Sequence, residues 1–336
     1  MGYYGQLQGV TFGPADIGMP SNNASPPDVD VLVIGSGFAG LCMLIHLRRA
    51  GKSCLVLERG SDVGGTWRVN TYPGCGCDIP SHFYSLSFEL NPHWTRMYPP
   101  QAEIGQYLRN SADRYGLRPW IRFHCEVREA VFNETTNTWH VRTAQGDTIT
   151  ARVVVSGMGG LNRPAYPKIP GLERFQGRAF HSSEWDHSFD LRGKRVAIIG
   201  TGASAVQIVP RIAPVVEQLH VFQRTAHWIL PKLDWEFRPW ERTLFRCLPG
   251  YMRIFRNVIY WQQEMIGLAY LRYPACAKLL EQWGRNHIVK SVPDPVLREK
   301  LTPNFVIGCK RTLLSNDYLS TFCRPNVLGC HRSRLS

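Results

Sequence analysis

The sequence predicts an α/β protein made of two Rossmann-like dinucleotide-binding domains, with a helical insertion in the second. Three observations predict it. An apolar run ending in a glycine-rich turn, DVDVLVIGSGFAG, is followed by helical spacing and a second apolar run, SCLVLE. The same order returns 165 positions further on, counted from Gly35 to Gly200, as KRVAIIGTGASA and then QLHVFQ. Between 234 and 303 the pattern becomes helical, aromatic and basic. With 336 residues, 44% of them hydrophobic, the chain can bury two cores.

Taken in order, the first 27 residues end in SNNASPP and read as a flexible arm. The first domain, residues 28–160, opens on DVDVLVIG, the continuous apolar run of a buried parallel strand. FAGLCMLIHLRRAG has apolar residues at helical spacing and stops at a glycine, and SCLVLE closes the βαβ unit. The alternating stretch from His124 to Gly157 predicts a small meander that completes this domain. NRPAYPKIPG is a proline-marked linker, and FQGRAFHSSEWDH (Phe175 to His187) keeps no steady period. The second domain, 161–325, opens on KRVAIIG, a helix ASAVQIVPRIAP that ends at its prolines, and the strand QLHVFQ. Its insertion has three open readings: a cover over a substrate, a membrane-surface patch, or core helices. Residues 326–336 read as a divergent tail.

Charged residues are 19% of the chain, too few for a coiled coil or a disordered tail. The net charge of +13 favours phosphorylated ligands. No arginine–aromatic repeat is present, so a nucleic-acid module is not expected. Ten cysteines lack metal spacing, and Cys75-Gly76-Cys77 is a lone C-x-C. That excludes a zinc site and a C-x-x-C redox pair and points to reduced thiols in a cytoplasmic protein, with no metal. The N-terminal residues carry no secretory signal or myristoylation motif, and no run is long enough for a membrane span.

Gly35-Ser36-Gly37-Phe38-Ala39-Gly40 lies between a strand and a helix. Gly35 suits the tight turn, Gly37 lets backbone approach a pyrophosphate, and Gly40 permits close helix–strand packing. Glu58 ends the next strand, where a carboxylate accepts hydrogen bonds from ribose hydroxyls. Gly200-Thr201-Gly202-Ala203-Ser204-Ala205 repeats the turn, but its strand runs into Gln223-Arg224-Thr225. A carboxylate there repels a 2′-phosphate, whereas a guanidinium binds one. Free ribose hydroxyls at the first turn and a 2′-phosphate at the second indicate FAD and NADP(H), and hence a flavin-dependent oxidoreductase.

FQGRAFHSSEWD fits F-x-G-x-x-x-H-x-x-x-W-[PD] through Phe175, Gly177, His181, Trp185 and Asp186. It resembles the fingerprint of type I Baeyer–Villiger monooxygenases, flavoproteins of the flavin-containing monooxygenase superfamily. GGTWRVNTYPGCGCDIPSHFYSLSF resembles the segment that lies along the flavin in that family. By that match Gly65, Thr66, Trp67, Asp78 and Tyr84 contact FAD, with Val127 beside them. QRTAHWILP resembles the 2′-phosphate segment, with Arg224 and Thr225, while Thr201, Gly202, Ser204, Ala205 and Gln207 lie along NADP. GCKRTLLSNDY resembles the segment carrying the active-site arginine, here Arg311, with Lys310 near NADP. His181 and Trp185 belong to the linker that couples NADP binding to flavin chemistry.

The resemblance implies insertion of one atom of O2 into an apolar ketone, giving an ester or lactone through a C4a-peroxyflavin. Arg311 serves as the fixed cation and Asp78 orients it. It also leaves an N- or S-oxygenase of the N,N-dimethylaniline monooxygenase type, which Trp185-Asp186 disfavours. The family continues past RPNV into further strands and an A-T-G motif, where this sequence reads LGCHRSRLS. A truncated, inactive nucleotide-binding fragment is therefore the third expectation.

Overall fold

The computed structural model describes residues 11–12 and 26–331. These form two packed units. The first comprises the residues up to 71 together with 102–184, and the second comprises 72–101 with 185 onward. The first expected domain is thus interrupted, because residues 72–101 pack into the second unit. Tyr72 is part of that unit's apolar core, and Met97 donates its N–H to the Trp235 carbonyl.

The first unit is built on a seven-stranded sheet in the order β1-β5-β6-β7-β2-β3-β4. Its strands are β1 Thr11–Phe12, β2 Val29–Ile34, β3 Cys54–Leu57, β4 Ile121–Arg122, β5 Val127–Asn133, β6 Thr138–Thr143 and β7 Thr148–Ser156. β2 pairs in parallel with both β3 and β7, and Val31–Ile34 are buried, as the unbroken apolar run requires. α1, Phe38–Arg49, buries Leu41, Leu44 and Ile45 on one face. A methyl group at Gly40 would stand 1.8 Å from the Gly35 carbonyl oxygen, so this crossing tolerates only glycine. β5, β6 and β7 form the expected antiparallel meander. Within the segment read as an arm, Thr11 and Phe12 pair in parallel with Glu129 and Ala130. The rest of that arm, apart from residues 26–27, lies outside the described residues. α2, Thr66–Val69, and α3, Gln101–Arg114, complete the helices of this part of the chain.

The second unit repeats the βαβ unit as β8 Arg195–Ile199, α4 Ala203–Ile212 and β9 Gln218–Gln223. α4 does not stop at Pro210. It passes through that residue and ends at Ile212, since a proline so near the helix end removes a single backbone bond. β12, Val327–His331, pairs in parallel with β9 from Val327↔Leu219 to His331↔Gln223. Within the segment read as a divergent tail, Val327 is buried and residues 327–331 form a strand along β9, while residues 332–336 lie outside the described residues.

β10 Ile229–Leu230 pairs with β11 Leu313–Leu314, and the intervening chain holds α5 Pro239–Cys247, α6 Tyr251–Arg272, α7 Pro274–Ser291 and α8 Pro295–Leu301. α9, Tyr318–Thr321, comes after β11. Ala277 of α7 packs with Trp228, Leu230 and Ile307, and Ile288 joins the main core, so α7 is a core helix. α6 turns Ile254, Val258, Trp261 and Met265 outward. No helix among the described residues is long and apolar enough to cross a membrane.

The insertion also encloses His82. This residue is 1% exposed, with ring centroids of Phe237, Phe245 and Phe255 at 5.5, 4.1 and 5.2 Å. Neither ring nitrogen has a hydrogen-bond partner among the described residues. Burial disfavours the imidazolium and lowers the His82 pKa from 6.5 to about 4. The unfolded chain therefore gains a proton below pH 6.5 that the native chain refuses down to about pH 4. Native stability is expected to fall across that window by roughly 3 kcal/mol from this residue. Denaturant titrations at several pH values should show the slope in the wild type and a flatter profile in His82→Phe.

Candidate active site

Each unit offers one glycine turn that opens a helix. In the first unit, Gly37 caps α1 without a side-chain hydrogen bond, and the first turn holds no acid. A methyl at Gly37 would meet only the Gly65 Cα, at 3.7 Å, so the space in front of the helix is open. Glu58 is buried at the end of β3. Its Oε2 accepts from the Ser36 N–H (2.8 Å) and hydroxyl (2.7 Å), and its Oε1 accepts from the Gly60 N–H (2.6 Å). The carboxylate thus braces the turn and keeps acceptor capacity on Oε1. Gly64 donates to the Ser36 carbonyl at 3.0 Å, which lays the GGTW segment, with Gly65, Thr66 and the buried Trp67, against the same turn. Phe38 stacks on Tyr107, and Ala39 is exposed. Uncapped N–H groups, open space and a braced acid are what a bound dinucleotide needs.

The second turn has the same backbone and a different end. Gly202 caps α4 with no side-chain bond and no acid in the first turn, and a methyl there would meet nothing within 4 Å. Gly35 donates to the Leu57 carbonyl and Gly200 to that of Phe222, so Gln223 occupies the register of Glu58. Gln223 is buried and donates to the Lys300 carbonyl at 2.9 Å. A tied-down neutral amide replaces the acid, and exposed Arg224 comes next with no carboxylate partner among the described residues. Thr201 donates its hydroxyl to the Thr225 carbonyl at 3.4 Å, fixing the turn beside Arg224.

Asp78 and Arg311 are 233 positions apart and meet in the second unit. Arg311 Nη2 stands 2.6 Å from each Asp78 carboxylate oxygen. Asp78 is 20% exposed and Arg311 64%. Among the described residues Asp78 engages Nη2 alone, so Nη1 and Nε keep donors for another group. Lys310 is exposed, with Nζ 4.7 Å from the Phe305 ring centroid. Asp78 hangs on backbone bonds on either side: Cys77 donates to the Pro99 carbonyl (2.9 Å) and Ser81 to that of Met97 (2.7 Å). Burial pushes the Cys77 thiol up to about 12, so it stays protonated beside the carboxylate.

Comparisons with known proteins identify the family. The sequence model of the flavin-binding monooxygenase-like family matches residues 29–264. The chain belongs to that family. A Baeyer–Villiger monooxygenase of Pseudomonas aeruginosa is 48% identical over 297 residues, covering 88% of this chain and 56% of the relative. One from Streptomyces coelicolor is 47% identical over 300 residues, covering 89% and 58%. The chain thus spans little more than half the length of these relatives. Among solved structures, a steroid monooxygenase bound to NADP is 33% identical, with a TM-score of 0.79, over 90% of this chain and 65% of its own. Cyclohexanone monooxygenase from Rhodococcus sp. Phi1 bound to NADP+ is 29% identical, with a TM-score of 0.80, over 92% and 65%.

For a flavin-binding monooxygenase-like chain, the fingerprint falls at an informative place, with His181 in the first unit and Trp185 as the first residue of the second. His181 Nδ1 lies 2.8 Å from the Ser183 hydroxyl, and its N–H donates to the Tyr166 hydroxyl at 3.1 Å. The Phe175 ring lies over Gly177, 2.4 Å from where a Cβ would stand. Trp185 packs against the second core.

Val127 and Gln207 also make contacts within the chain. The Val127 side chain belongs to the buried cluster of the first sheet, which leaves only its backbone for a ligand. Gln207 is occupied at both ends: its Oε1 accepts from the Tyr72 hydroxyl (3.0 Å), and its Nε2 donates to the Gly76 carbonyl (2.9 Å). It ties α4 to the loop that leads to Asp78. Tyr84 sits half-buried in the second unit, and Ser204 and Ala205 lie in the first turn of α4. Lys232, Asp234 and Arg96 escape sequence reasoning, because Arg96 and Asp234 meet across 138 positions and belong to no motif.

The loop before Asp78 depends on Gly74. Its φ is +82°, and a Cβ would stand 2.6 Å from the Gln207 carbonyl oxygen. Gly74→Ala is expected to cost more than about 3 kcal/mol. Gly51→Ala, at φ +64° with nothing within 4 Å, should cost only about 1 kcal/mol. Thermal unfolding of the two variants measures the difference.

Proposed function

We propose that this chain carries out NADPH- and O2-dependent flavin monooxygenation, inserting one oxygen atom beside the carbonyl of an apolar ketone to give an ester or lactone. The observation that carries the reading is the Asp78–Arg311 pair in a chain with two uncapped dinucleotide turns of opposite 2′ chemistry. FAD suits the first turn, where Glu58 keeps an acceptor for a ribose hydroxyl. NADPH suits the second, where Gln223 is neutral and Arg224 is exposed. When bound, the two cofactors supply hydride transfer and O2 activation.

The chain's own part is electrostatic. Asp78 fixes the guanidinium through Nη2 alone, so Arg311 presents Nη1–H and Nε–H to an oxyanion developing on the former carbonyl oxygen. Because the donors are fixed in advance, stabilising that charge requires no reorganisation. Apolar side chains on α5–α7 suit an apolar substrate. The pattern of unpaired cysteines supports a reducing, cytosolic setting.

Trp185-Asp186 at the end of the fingerprint, by resemblance, favours ketone oxidation over the N- and S-oxygenase alternative. Arg311→Ala should still oxidise NADPH but lose ester formation by on the order of 10²–10³-fold, measured by mass spectrometry of products from a ketone, an amine and a thioether. Undiminished ester in that variant removes Arg311 from the chemistry. Product only from the amine or thioether moves the reading to the heteroatom oxygenases, and no FAD retention by the wild type marks an inactive fragment.

A further inference from the structure

The first glycine turn has a cation beside it that no side chain answers. Arg68 follows Thr66 and Trp67 in α2 and is half-buried. Its N–H donates to the Gly65 carbonyl at 3.1 Å, and a Cβ on Gly65 would stand 3.0 Å from the Gly37 Cα, where α1 begins. The far end of the side chain reaches Gly60. A Cβ built there would stand 2.0 Å from Arg68 Nη2, 2.3 Å from Cζ and 2.8 Å from Nε, so the guanidinium lies on the Gly60 backbone. The Gly60 N–H is the one that donates to Glu58 Oε1. Arg68 is thus rooted beside the helix start and ends beside the strand end that carries Glu58. Its Nε is buried without a hydrogen-bond partner, and no carboxylate pairs with the guanidinium among the described residues.

From this placement we infer that Arg68 is a cofactor-binding residue of the first turn, which gives its free Nη donors to the diphosphate of the adenine dinucleotide held there. The inference rests on the reading of that turn as the FAD site. Taking a guanidinium partly out of water without an anion is unfavourable, and an unpaired buried donor adds to the penalty. A carboxylate of the chain is the ordinary remedy, but Glu58, beside Gly60, turns its oxygens to Ser36 and Gly60 instead. A phosphate matches the guanidinium fork with paired, charge-assisted hydrogen bonds, and a neutral ribose hydroxyl does not. Gly60 makes the placement possible, because a side chain there would take the space of the guanidinium. The Gly60 φ lies outside the left-handed region, so alanine at that position strains no backbone and acts only by displacing Arg68.

The test is calorimetric titration of the flavin-free full chain with FAD at low and high salt, with NADP+ at saturation to fill the second turn. Arg68→Met should weaken FAD binding by roughly tenfold, flatten its salt dependence and leave NADP+ binding unchanged. Arg68→Lys should recover part of the loss. Gly60→Ala should weaken FAD by a similar factor, and the double variant should be no worse than either single one, since both remove the same contact. Variants at two separate positions keep the test open if one of them fails to fold. Unchanged FAD affinity in Arg68→Met, or losses that add in the double variant, overturns the inference and leaves Arg68 a packing residue, with the FAD reading intact. A wild type that binds no FAD overturns that reading and the inference together.

Discussion

Two helix starts in this chain, those of α1 and α4, follow a glycine turn at the end of a parallel strand, and the nucleotide-binding reading depends on them. A helix N-terminus concentrates backbone N–H donors and partial positive charge at one point, which favours an anion there. α1 and α4 both begin on glycine, with no capping side chain and no acid in the first turn. The space before each is open. A glycine turn between a parallel strand and a helix start leaves room for a phosphate at the helix N-terminus, which is what the proposed nucleotide reading uses at both turns.

The chemistry of the two turns is divided by the residue that ends the second strand of each unit. Registered on the hydrogen bonds from Gly35 and Gly200, Glu58 and Gln223 occupy equivalent positions, and their side chains do opposite things. The acid braces its own turn. The amide leaves its turn for the Lys300 carbonyl and gives way to Arg224. In the proposed reading, selectivity for one nucleotide at each turn rests on one position and its neighbour. The Asp78–Arg311 pair is joined to the second turn by the Gln207 link to the Tyr72–Gly76 loop, so the chemistry-bearing loop and α4 form one connected framework.

The parts legible in the sequence were those with local signals. Both βαβ units, the meander and the positions of Glu58 and Arg224 come from periodicity and glycine spacing. β12 escaped because a short strand at a sheet edge has no pattern of its own, and β9 selects it by offering an open side. Residues 72–101 were placed in the first domain because sequence order favours neighbours, whereas Tyr72 and Met97 find their partners more than a hundred positions away. The intrachain contacts of Val127 with the apolar core and of Gln207 with Tyr72 and Gly76 carry no local signal either. The Lys232–Asp234–Arg96 group was invisible for the same reason, being assembled by tertiary contacts between unlike segments.

The account stands on two turns with different nucleotides. Calorimetric titration of the full chain with FAD, NADP+ and NAD+ tests it most directly. FAD and NADP+ should bind together at separate sites, NADP+ at least about tenfold more tightly than NAD+, with Arg224→Ala erasing that preference while FAD binding is retained. Equal affinity for NADP+ and NAD+ in the wild type, or competition between FAD and NADP+ for one site, would contradict it.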